Sequence, residues 1–398
     1  MSPVSMEKLN LMAPPSTQII ERRSLTVGIL FGIGALILAF VETDKFFHAY
    51  LLAYMAWLGV SLGSMAFLMI HHLTGGGWGM VIRRPLEAAA KTTSLMAILF
   101  IPIIAGMKHI YFWMNPAVIA NNPHLVELRH GYLSTSGFIF RAVAYLVIWI
   151  GLAWLLTRLS ATQDQPPVLN LSPRFRLIAA PGLVIYAFTI TFAVIDWVMS
   201  LSAPWISTIY GFIFIVGQCL SAMCFIVIVE RILARHQPMS VILRSKDVHD
   251  HGKLMLTFLM LWAYFSYSQF LIIWAGNLPS EITWYSRRLY HGWHLVGLAM
   301  VIFHFAVPFC LLLSRPFKRN VYTLVWLAGW LMLMRYADLF WYIEANFNER
   351  FFVTISDVVL PIAMGGFWLW FFFRKLRQRP LLPPYALHAR ELVEAIHE

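Results

Sequence analysis

Residues 211–229 read GFIFIVGQCLSAMCFIVIV, nineteen consecutive residues without a charged side chain. A helix needs about 20 apolar residues to cross the hydrocarbon core of a bilayer, so this stretch predicts a membrane-spanning helix over 205–229. Nine further segments of the same character lie near 25–41, 47–70, 93–113, 134–157, 177–199, 254–275, 291–313, 321–342 and 355–373. The sequence therefore predicts an all-α polytopic membrane protein with about ten transmembrane helices.

The overall composition agrees with this interpretation. Hydrophobic residues make up 60% of the 398 residues and charged residues only 12%, against about a quarter charged in ordinary soluble domains. A soluble fold cannot hide that much apolar surface, which excludes a soluble enzyme and a disordered or fibrous protein. The longest loops between predicted spans, 71–91 and 232–252, are too short to form a soluble domain.

Positive charges are distributed unevenly between the two ends of the predicted spans. The termini and the even-numbered loops hold 22 of the 30 Lys and Arg residues, the odd-numbered loops with the adjoining span ends hold 6, and Arg141 and Arg335 lie within spans. Cytoplasmic loops are the ones enriched in Lys and Arg, so both termini are predicted to be cytoplasmic. The membrane domain then covers 25–375, between an N-terminal segment at 1–24 and a C-terminal tail at 376–398.

The cysteines and histidines give no sign of a bound cofactor. Cys219, Cys224 and Cys310 all lie inside apolar stretches, and the chain contains no CxxC or CxxCH motif. This excludes an iron–sulfur cluster or a c-type haem ligated by this chain. His109 and His294 are the one pair at similar depth for a b-type haem, and nothing in their spacing requires it. We predict no catalytic constellation, no metal site and no cofactor bound by this chain.

Ionisable residues within or near the spans are costly to keep, so they mark ion pairs, proton paths or wet cavities. The candidates for a proton pathway are Asp196, Asp338, Lys108, His109, His294 and Asp357. Arg141 and Arg335 remain charged, so they can tune a neighbouring group but cannot carry a proton. We expect Lys108, Arg141 and Asp196 to meet in one cluster, and Arg335 and Asp338 to share a helix face. The alternative is that these residues are structural ion pairs that fix the order of the helices.

For three other histidines we expect simpler roles. His304 lies alone at mid-span, where a hydrogen-bonded packing role is expected. His71 and His72 are expected to cap a helix or to lie among lipid headgroups. They begin the segment HHLTGGGWG at 71–79, whose three glycines allow backbone dihedrals closed to other residues. No Gly-Lys-Ser/Thr follows, so this is not a nucleotide phosphate loop, and residues 78–91 are expected to form an interfacial helix.

The seventh predicted span carries polar residues at intervals before it breaks at residues 276–279, Gly-Asn-Leu-Pro. Its polar side chains include Tyr264, Tyr267, Ser268 and Gln269. Such hydroxyl and amide groups can hold a chain of water molecules or bind a quinone carbonyl. They can equally bond one helix to another, an interaction worth about 0.6 kcal/mol in membrane proteins. The sequence alone does not decide between these roles.

Five stretches together resemble a known family. They are HHLTGGGWG at 71–79 followed by Arg83, Arg84 and Glu87, GMKHIYFWMNP at 106–116, FRAVAYLVIW at 140–149, SQFLIIWAGNLP at 268–279 and RYADLFW at 335–341. This set resembles the NrfD/PsrC-like quinol-interacting membrane subunits. It is most similar to the ActF-type subunit of bacterial alternative complex III, a quinol:cytochrome c oxidoreductase.

The resemblance implies a fold and a set of partners. The fold is two four-helix bundles, here near 47–199 and 205–342, flanked by the first and last helices. The partners are a paralogous NrfD-like subunit with the quinol site, an iron–sulfur subunit, multihaem and monohaem cytochrome c subunits, small membrane subunits and a terminal oxidase. Haems and iron–sulfur clusters then lie on partner subunits, in the bacterial cytoplasmic (inner) membrane. No nucleic acid is implied.

For this subunit the resemblance implies a role in proton translocation, and also an interaction with quinone or menaquinone. Two other classes of function suit ten spans with buried charges. One is a secondary solute or ion transporter, although transporters often show inverted repeats and the two halves here echo each other only weakly, in the same direction. The other is a structural membrane anchor for peripheral haem proteins.

Overall fold

The computed structural model describes residues 9–115, 132–203 and 205–394. Apart from one isolated β-bridge between Leu169 and Ala386, these residues form helices and their connections. Nine of their helical stretches are long and apolar enough to cross a membrane, namely Ser16–Val41, Thr43–Thr74, Gly77–Ala105, Thr135–Asp164, Ser172–Ser202, Tyr210–Leu233, Ser245–Gly276, Trp293–Leu313 and Ile355–Leu376. The chain is thus an all-α polytopic membrane protein.

A tenth long helix, Val321–Ile343, has 23 residues but is less apolar because Arg335 and Asp338 lie within it. It corresponds to the predicted span at 321–342.

The α-helices are numbered here in chain order: α1 Ser16–Val41, α2 Thr43–Thr74, α3 Gly77–Lys91, α4 Thr93–Leu99, α5 Ile101–Ala105, α6 Met107–Ile110, α7 Thr135–Ala161, α8 Ser172–Trp197, α9 Tyr210–Leu233, α10 Met239–Ile242, α11 Ser245–Gly276, α12 Pro279–Leu289, α13 Trp293–Ala299, α14 Val307–Leu313, α15 Arg315–Arg319, α16 Val321–Ile343, α17 Ile355–Leu376 and α18 Leu387–Glu394.

Helices α2 and α9 form the centre of the molecule and pack against each other. Glycine makes this contact close, since a Cβ atom on Gly63 of α2 would lie only 2.1 Å from the main-chain oxygen of Gln218 on α9. On the outside, α1 packs along α17, and a Cβ on Gly366 would lie 2.4 Å from the nitrogen of Gly28. Small residues allow such approach between membrane helices, where packing replaces the hydrophobic effect.

The remaining contacts divide the helices into two groups, one around α2 and one around α9. These groups are called the first and the second bundle. In the first half, α2 packs with α3 and α8, α3 with α7, and α8 with α7. In the second half, α9 packs with α11 and α16, and α11 with α14. The two groups meet where α9 contacts α2 and α8, while α17 packs on α2. Buried polar residues lie in both groups.

The third crossing differs from the expectation. Helix α3 was expected to be an interfacial helix before a span at 93–113, but it runs into α4 and α5 as one helical stretch, Gly77–Ala105. Arg83, Arg84 and Glu87 are each only 3% exposed. Burial is tolerated because Glu87 accepts hydrogen bonds from Arg83 at 3.1 Å and from Arg84 at 2.8 Å. Helix α3 therefore packs within the protein, and its depth in the membrane stays a prediction.

The predicted break after the seventh span is confirmed. Helix α11 ends at Gly276, and the next residue, Asn277, has φ 49° in the left-handed region. Pro279 is the first residue of α12. Asparagine tolerates the left-handed region better than most residues, and proline suits the first turn of a helix because its missing N–H would have had no partner there.

Candidate functional site in the two helix bundles

The second bundle contains a buried ion pair at its centre. Arg335 and Asp338 on α16 are 3% and 1% exposed, and the guanidinium binds the carboxylate directly. Trp262 on α11 donates its indole N–H to Asp338 Oδ2 at 3.1 Å. On α9, a Cβ at Gly217 would lie 2.2 Å from Arg335 Cζ, so glycine leaves the space that the guanidinium occupies. The predicted shared face of Arg335 and Asp338 is confirmed.

His304 lies beside this pair, next to Trp262. Its ring is fully buried and stacks on Trp262 with 4.1 Å between ring centroids. Neither ring nitrogen finds a partner within the described part of the chain, so the hydrogen-bonded role expected for His304 was wrong. The residue belongs to a π-helical turn, Met300–Ala306, a local distortion that frequently occurs at functional sites. One tryptophan thus touches both the imidazole and the carboxylate.

The first bundle contains a second ion pair, between helices rather than within one. Arg141 on α7 donates to Asp196 on α8, with Nη2 to Oδ1 at 2.7 Å and Nε to Oδ2 at 2.9 Å. Tyr145 donates its hydroxyl to Asp196 at 3.0 Å, and Asp196 is fully buried. Tyr132 lies under the guanidinium, 3.9 Å from ring centroid to Cζ. Burial and the nearby Asp196 raise the pKa of Tyr132 to about 12.

Lys108 does not join this pair. It is exposed on the short helix α6, and Asp196 forms its ion pair with Arg141. Within the described residues Lys108 forms no salt bridge, so the expected cluster of three contains two of its members. His109 is also exposed, and its Nδ1 lies 2.6 Å from Asp44 Oδ1. Both residues follow the apolar helical stretch that ends at Ala105, and their side chains lie on the outside of α6.

The last two candidates for the proton path lie near the ends of α13 and α17. His294 is exposed, one residue after the start of α13. Asp357 is buried in the first turn of α17, where Thr354 donates its main-chain N–H and its hydroxyl to Oδ2, both at 2.7 Å. This is a reciprocal helix cap. Tyr336 on α16 donates to the main-chain oxygen of Asp357 at 2.6 Å.

The polar residues of α11 point in different directions. Tyr264 and Tyr267 are 64% and 63% exposed, on the outer surface. Ser268 is half-buried, and Gln269 is buried with its Oε1 3.4 Å from the hydroxyl of Ser207. These four side chains do not converge on one cavity, because the 3.6-residue period of a helix separates Gln269 from the two tyrosines.

Besides Asp247, which is paired with Arg244, two buried acidic groups were missed in the sequence. Glu230 on α9 and His251 on α11 are both fully buried, with His251 Nδ1 3.0 Å from Glu230 Oε1 and 3.1 Å from Oε2. His251 Nε2 lies 2.9 Å from the main-chain oxygen of Trp78. A carbonyl oxygen can only accept, so Nε2 must donate and a proton must lie between Nδ1 and the carboxylate. The two residues are on different helices, and neither spacing nor composition predicts their contact.

Glu344 is the other missed acid, directly after α16. It is 3% exposed, and its Oε2 accepts from Asn348 at 3.1 Å. Its Oε1 has no hydrogen-bond partner among the residues that the structure describes. Burial, together with the charge of Asp357, raises the pKa of Glu344 well above its ordinary value. The acid thus favours its protonated form more than an exposed glutamate does.

An apolar crevice of about 720 Å³ opens beside the ion pair of the second bundle. It lies between α1, α2, α16 and α17, and its few polar lining residues include Arg335, Tyr336 and Asp357. An apolar cavity with a small number of converging polar groups is the usual form of a small-molecule site.

No metal site accompanies these groups, since the described residues contain no cluster of three or more His, Cys, Asp or Glu side chains that could hold a metal ion. Compared with protein-family models, the chain matches none, and a comparison with curated proteins finds no match. The class that the structure defines is an integral membrane protein with buried ion pairs in two helix bundles.

Proposed function

We propose that this chain is an integral subunit of a respiratory quinol:cytochrome c or terminal-oxidase oxidoreductase of the alternative complex III type. It has no redox centre of its own and contributes a proton path. The motif resemblance supports the type of complex. The observation that carries the proton path is the arrangement of buried titratable groups at three levels of the second bundle.

The three levels follow from positions along the helices. Asp338 lies on α16 and Glu344 directly after its end, six residues further on, which corresponds to roughly 9 Å at the helical rise. Gly217 faces Arg335, and Glu230 lies thirteen residues further along α9, roughly 20 Å away. The Glu230–His251 pair, the Asp338 site and Glu344 therefore extend over about the thickness of a bilayer core. Burying three such groups in one bundle costs free energy, and ionisable groups that persist within membrane spans usually have a function.

The central level carries the chemistry of the proposal. Arg335 remains charged, so Asp338 and His304 are the groups that exchange a proton there. Protonation of His304 places a positive charge beside Arg335, which favours an ionised Asp338, and protonation of Asp338 releases its ion pair with Arg335. Trp262 holds both groups in place. Asp196 is the equivalent acid of the first bundle, where Arg141 and Tyr145 donate hydrogen bonds to it.

We propose an inner-membrane location with both termini in the cytoplasm, on the distribution of Lys and Arg. Glu230 and His251 then lie at the cytoplasmic end of the path, and Glu344 lies at the opposite end. Haem and iron–sulfur subunits and the paralogous quinol-site subunit are the proposed partners.

The crevice beside Arg335 favours a second candidate function, binding of a quinone. Its apolar lining suits an isoprenoid tail, and Arg335 and Tyr336 supply polar groups at its wall. A photoreactive quinone analogue should label residues 332–339 or 357–366. Labelling confined to other subunits would contradict this second function.

Isolation of the chain from its native membrane tests the proposal against its alternatives. We expect haem-containing partners to co-purify with it, while the chain separated from them shows no haem or iron–sulfur absorbance. A chain that purifies alone and moves a solute in vesicles would instead be a transporter. A stoichiometric haem band in the separated chain would contradict the absence of its own redox centre.

A further inference from the structure

The helix that follows α13 contains the π-helical turn Met300–Ala306, which carries His304. At the end of this turn the main-chain N–H of Val307 bonds the oxygen of Ile302, five residues back rather than the usual four. Pro308 accounts for the distortion, because in a regular α-helix its ring would clash with the carbonyl of His304. The irregular backbone at this histidine therefore follows from the local sequence.

The Phe303 carbonyl loses both of the main-chain donors that a helix would offer it. Val307 would be its partner in an α-helix, but it donates to Ile302 instead. Pro308 would be its partner in a π-helix, but proline has no N–H. The carbonyl accepts from the indole N–H of Trp330 on α16, at 2.9 Å. A side chain of the neighbouring helix thus completes the hydrogen bonding of the turn.

The same turn carries the imidazole into the second bundle. The His304 ring is fully buried and stacks on Trp262 with 4.1 Å between ring centroids. Trp262 donates to Asp338, the ion-pair partner of Arg335. Asp338 is on α16, eight residues after Trp330, which corresponds to roughly 12 Å at the helical rise. One helix therefore both carries the carboxylate and holds the turn that carries the histidine.

Trp330 is one of two tryptophans on the outward face of α16. It is 39% exposed, and its ring meets Phe303 edge to face with 6.1 Å between centroids. Trp326, one helical turn earlier, is 80% exposed and donates no hydrogen bond within the residues that the structure describes. The feature that distinguishes Trp330 from its neighbour is the hydrogen bond to the turn.

We propose that Trp330 is a positioning residue for the proton path: its indole N–H holds the π-helical turn, and the turn holds His304 against Trp262. Without the indole the Phe303 carbonyl loses its donor, which costs free energy in an apolar surrounding and favours conformations in which the turn opens. This role rests on the proposed function, since proton transfer is affected only if His304 takes part in it.

The test is exchange of the imidazole C2 hydrogen for deuterium in the intact complex, followed by mass spectrometry. Residues 295–313 contain only His304, so its rate is read separately. We expect Trp330→Phe to raise this rate about tenfold, the equivalent of about 1.4 kcal/mol. The phenyl ring keeps an aromatic contact with Phe303 but cannot donate a hydrogen bond. Trp326→Phe is the matched control and should leave the rate unchanged.

His251 provides an internal control, because it is equally buried on another helix and reports loosening of the whole bundle. Proton release per electron, measured on the same variants in sealed vesicles, separates the positioning role from the proposed function. Faster exchange of His304 in Trp330→Phe alone, with lower proton release, supports both of them. The same exchange with unchanged proton release supports the positioning role and contradicts a part for His304 in the proton path. The positioning role is overturned if the two tryptophan variants change the exchange of His304 equally, if neither changes it, or if His251 also exchanges faster.

Discussion

Gly217 and Arg335 face each other so closely that a Cβ atom on the glycine would lie 2.2 Å from the guanidinium carbon. The central ion pair of the second bundle therefore depends on the absence of a side chain on the neighbouring helix. Arg335 is held between this glycine and its partner Asp338, with little room to move.

Gly217→Ala should destabilise the protein by about 1–3 kcal/mol, because Arg335 must shift within a packed interior. The thermal unfolding midpoint in detergent measures this. Gly329→Ala is the matched control on α16, where a Cβ would meet nothing within 4 Å. An equal effect of both substitutions would show that Gly217 acts through helix propensity rather than through contact with Arg335.

Asp338→Asn should lower the free energy of unfolding by about 3–5 kcal/mol, because it leaves the buried Arg335 without a counter-charge. Less of the variant should then assemble. The double variant Arg335→Gln with Asp338→Asn removes both charges and should recover most of the loss. Asp250→Asn is the control, because its pair with Lys253 is partly exposed and worth about 1 kcal/mol at most. A double variant no more stable than the single one would argue against a simple ion pair.

Much of the fold was predictable because apolar runs of about 20 residues have few alternatives to a membrane helix. The break after α11 was also predictable, since Asn277 and Pro279 have strong local preferences. Charged pairs were predictable within one helix, as for Arg335 and Asp338, and between the successive helices α7 and α8, as for Arg141 and Asp196. Contacts such as Glu230 with His251 depend on which faces of two helices meet, and a single sequence does not contain that information.

The same limit explains why the burial of His71 and His72 was not predicted. A histidine at the end of an apolar run looks the same whether it faces headgroups or another helix. Their burial follows from α3 folding back along α2 and from the C-terminal segment covering that end of the molecule, where Leu381 and Ala389 are fully buried. The second of these causes lies far away in sequence.

Glu344→Gln should stabilise the protein increasingly as the pH rises. The pKa of Glu344 is raised in the folded protein, so its contribution to stability is present below the pKa of the unfolded chain and is lost as the pH passes the folded pKa. The Glu344→Gln variant has no carboxyl group to ionise at this position, so it does not lose stability in this way as the pH rises. Unfolding midpoints of both proteins between pH 5 and pH 9 should diverge toward high pH, and a constant difference would contradict the prediction.

Reporters fused to either terminus should be active only in the cytoplasm, on the 22-to-6 distribution of Lys and Arg. A cytoplasmic fluorescent protein and a periplasmic phosphatase make the complementary pair of measurements. A phosphatase active at either terminus would reverse the proposed direction of the path, with Glu230 and His251 at the outer end.

The central claim is that Asp338 and its neighbours carry protons when the complex oxidises quinol. The most direct measurement is the number of protons released per electron by the complex in sealed vesicles, with the Arg335→Gln, Asp338→Asn double variant compared with Asp250→Asn. We predict that the double variant assembles and still transfers electrons, while its proton release per electron falls. Proton release equal to that of Asp250→Asn, in an assembled and active complex, would show that the pair is structural and would contradict the proton path.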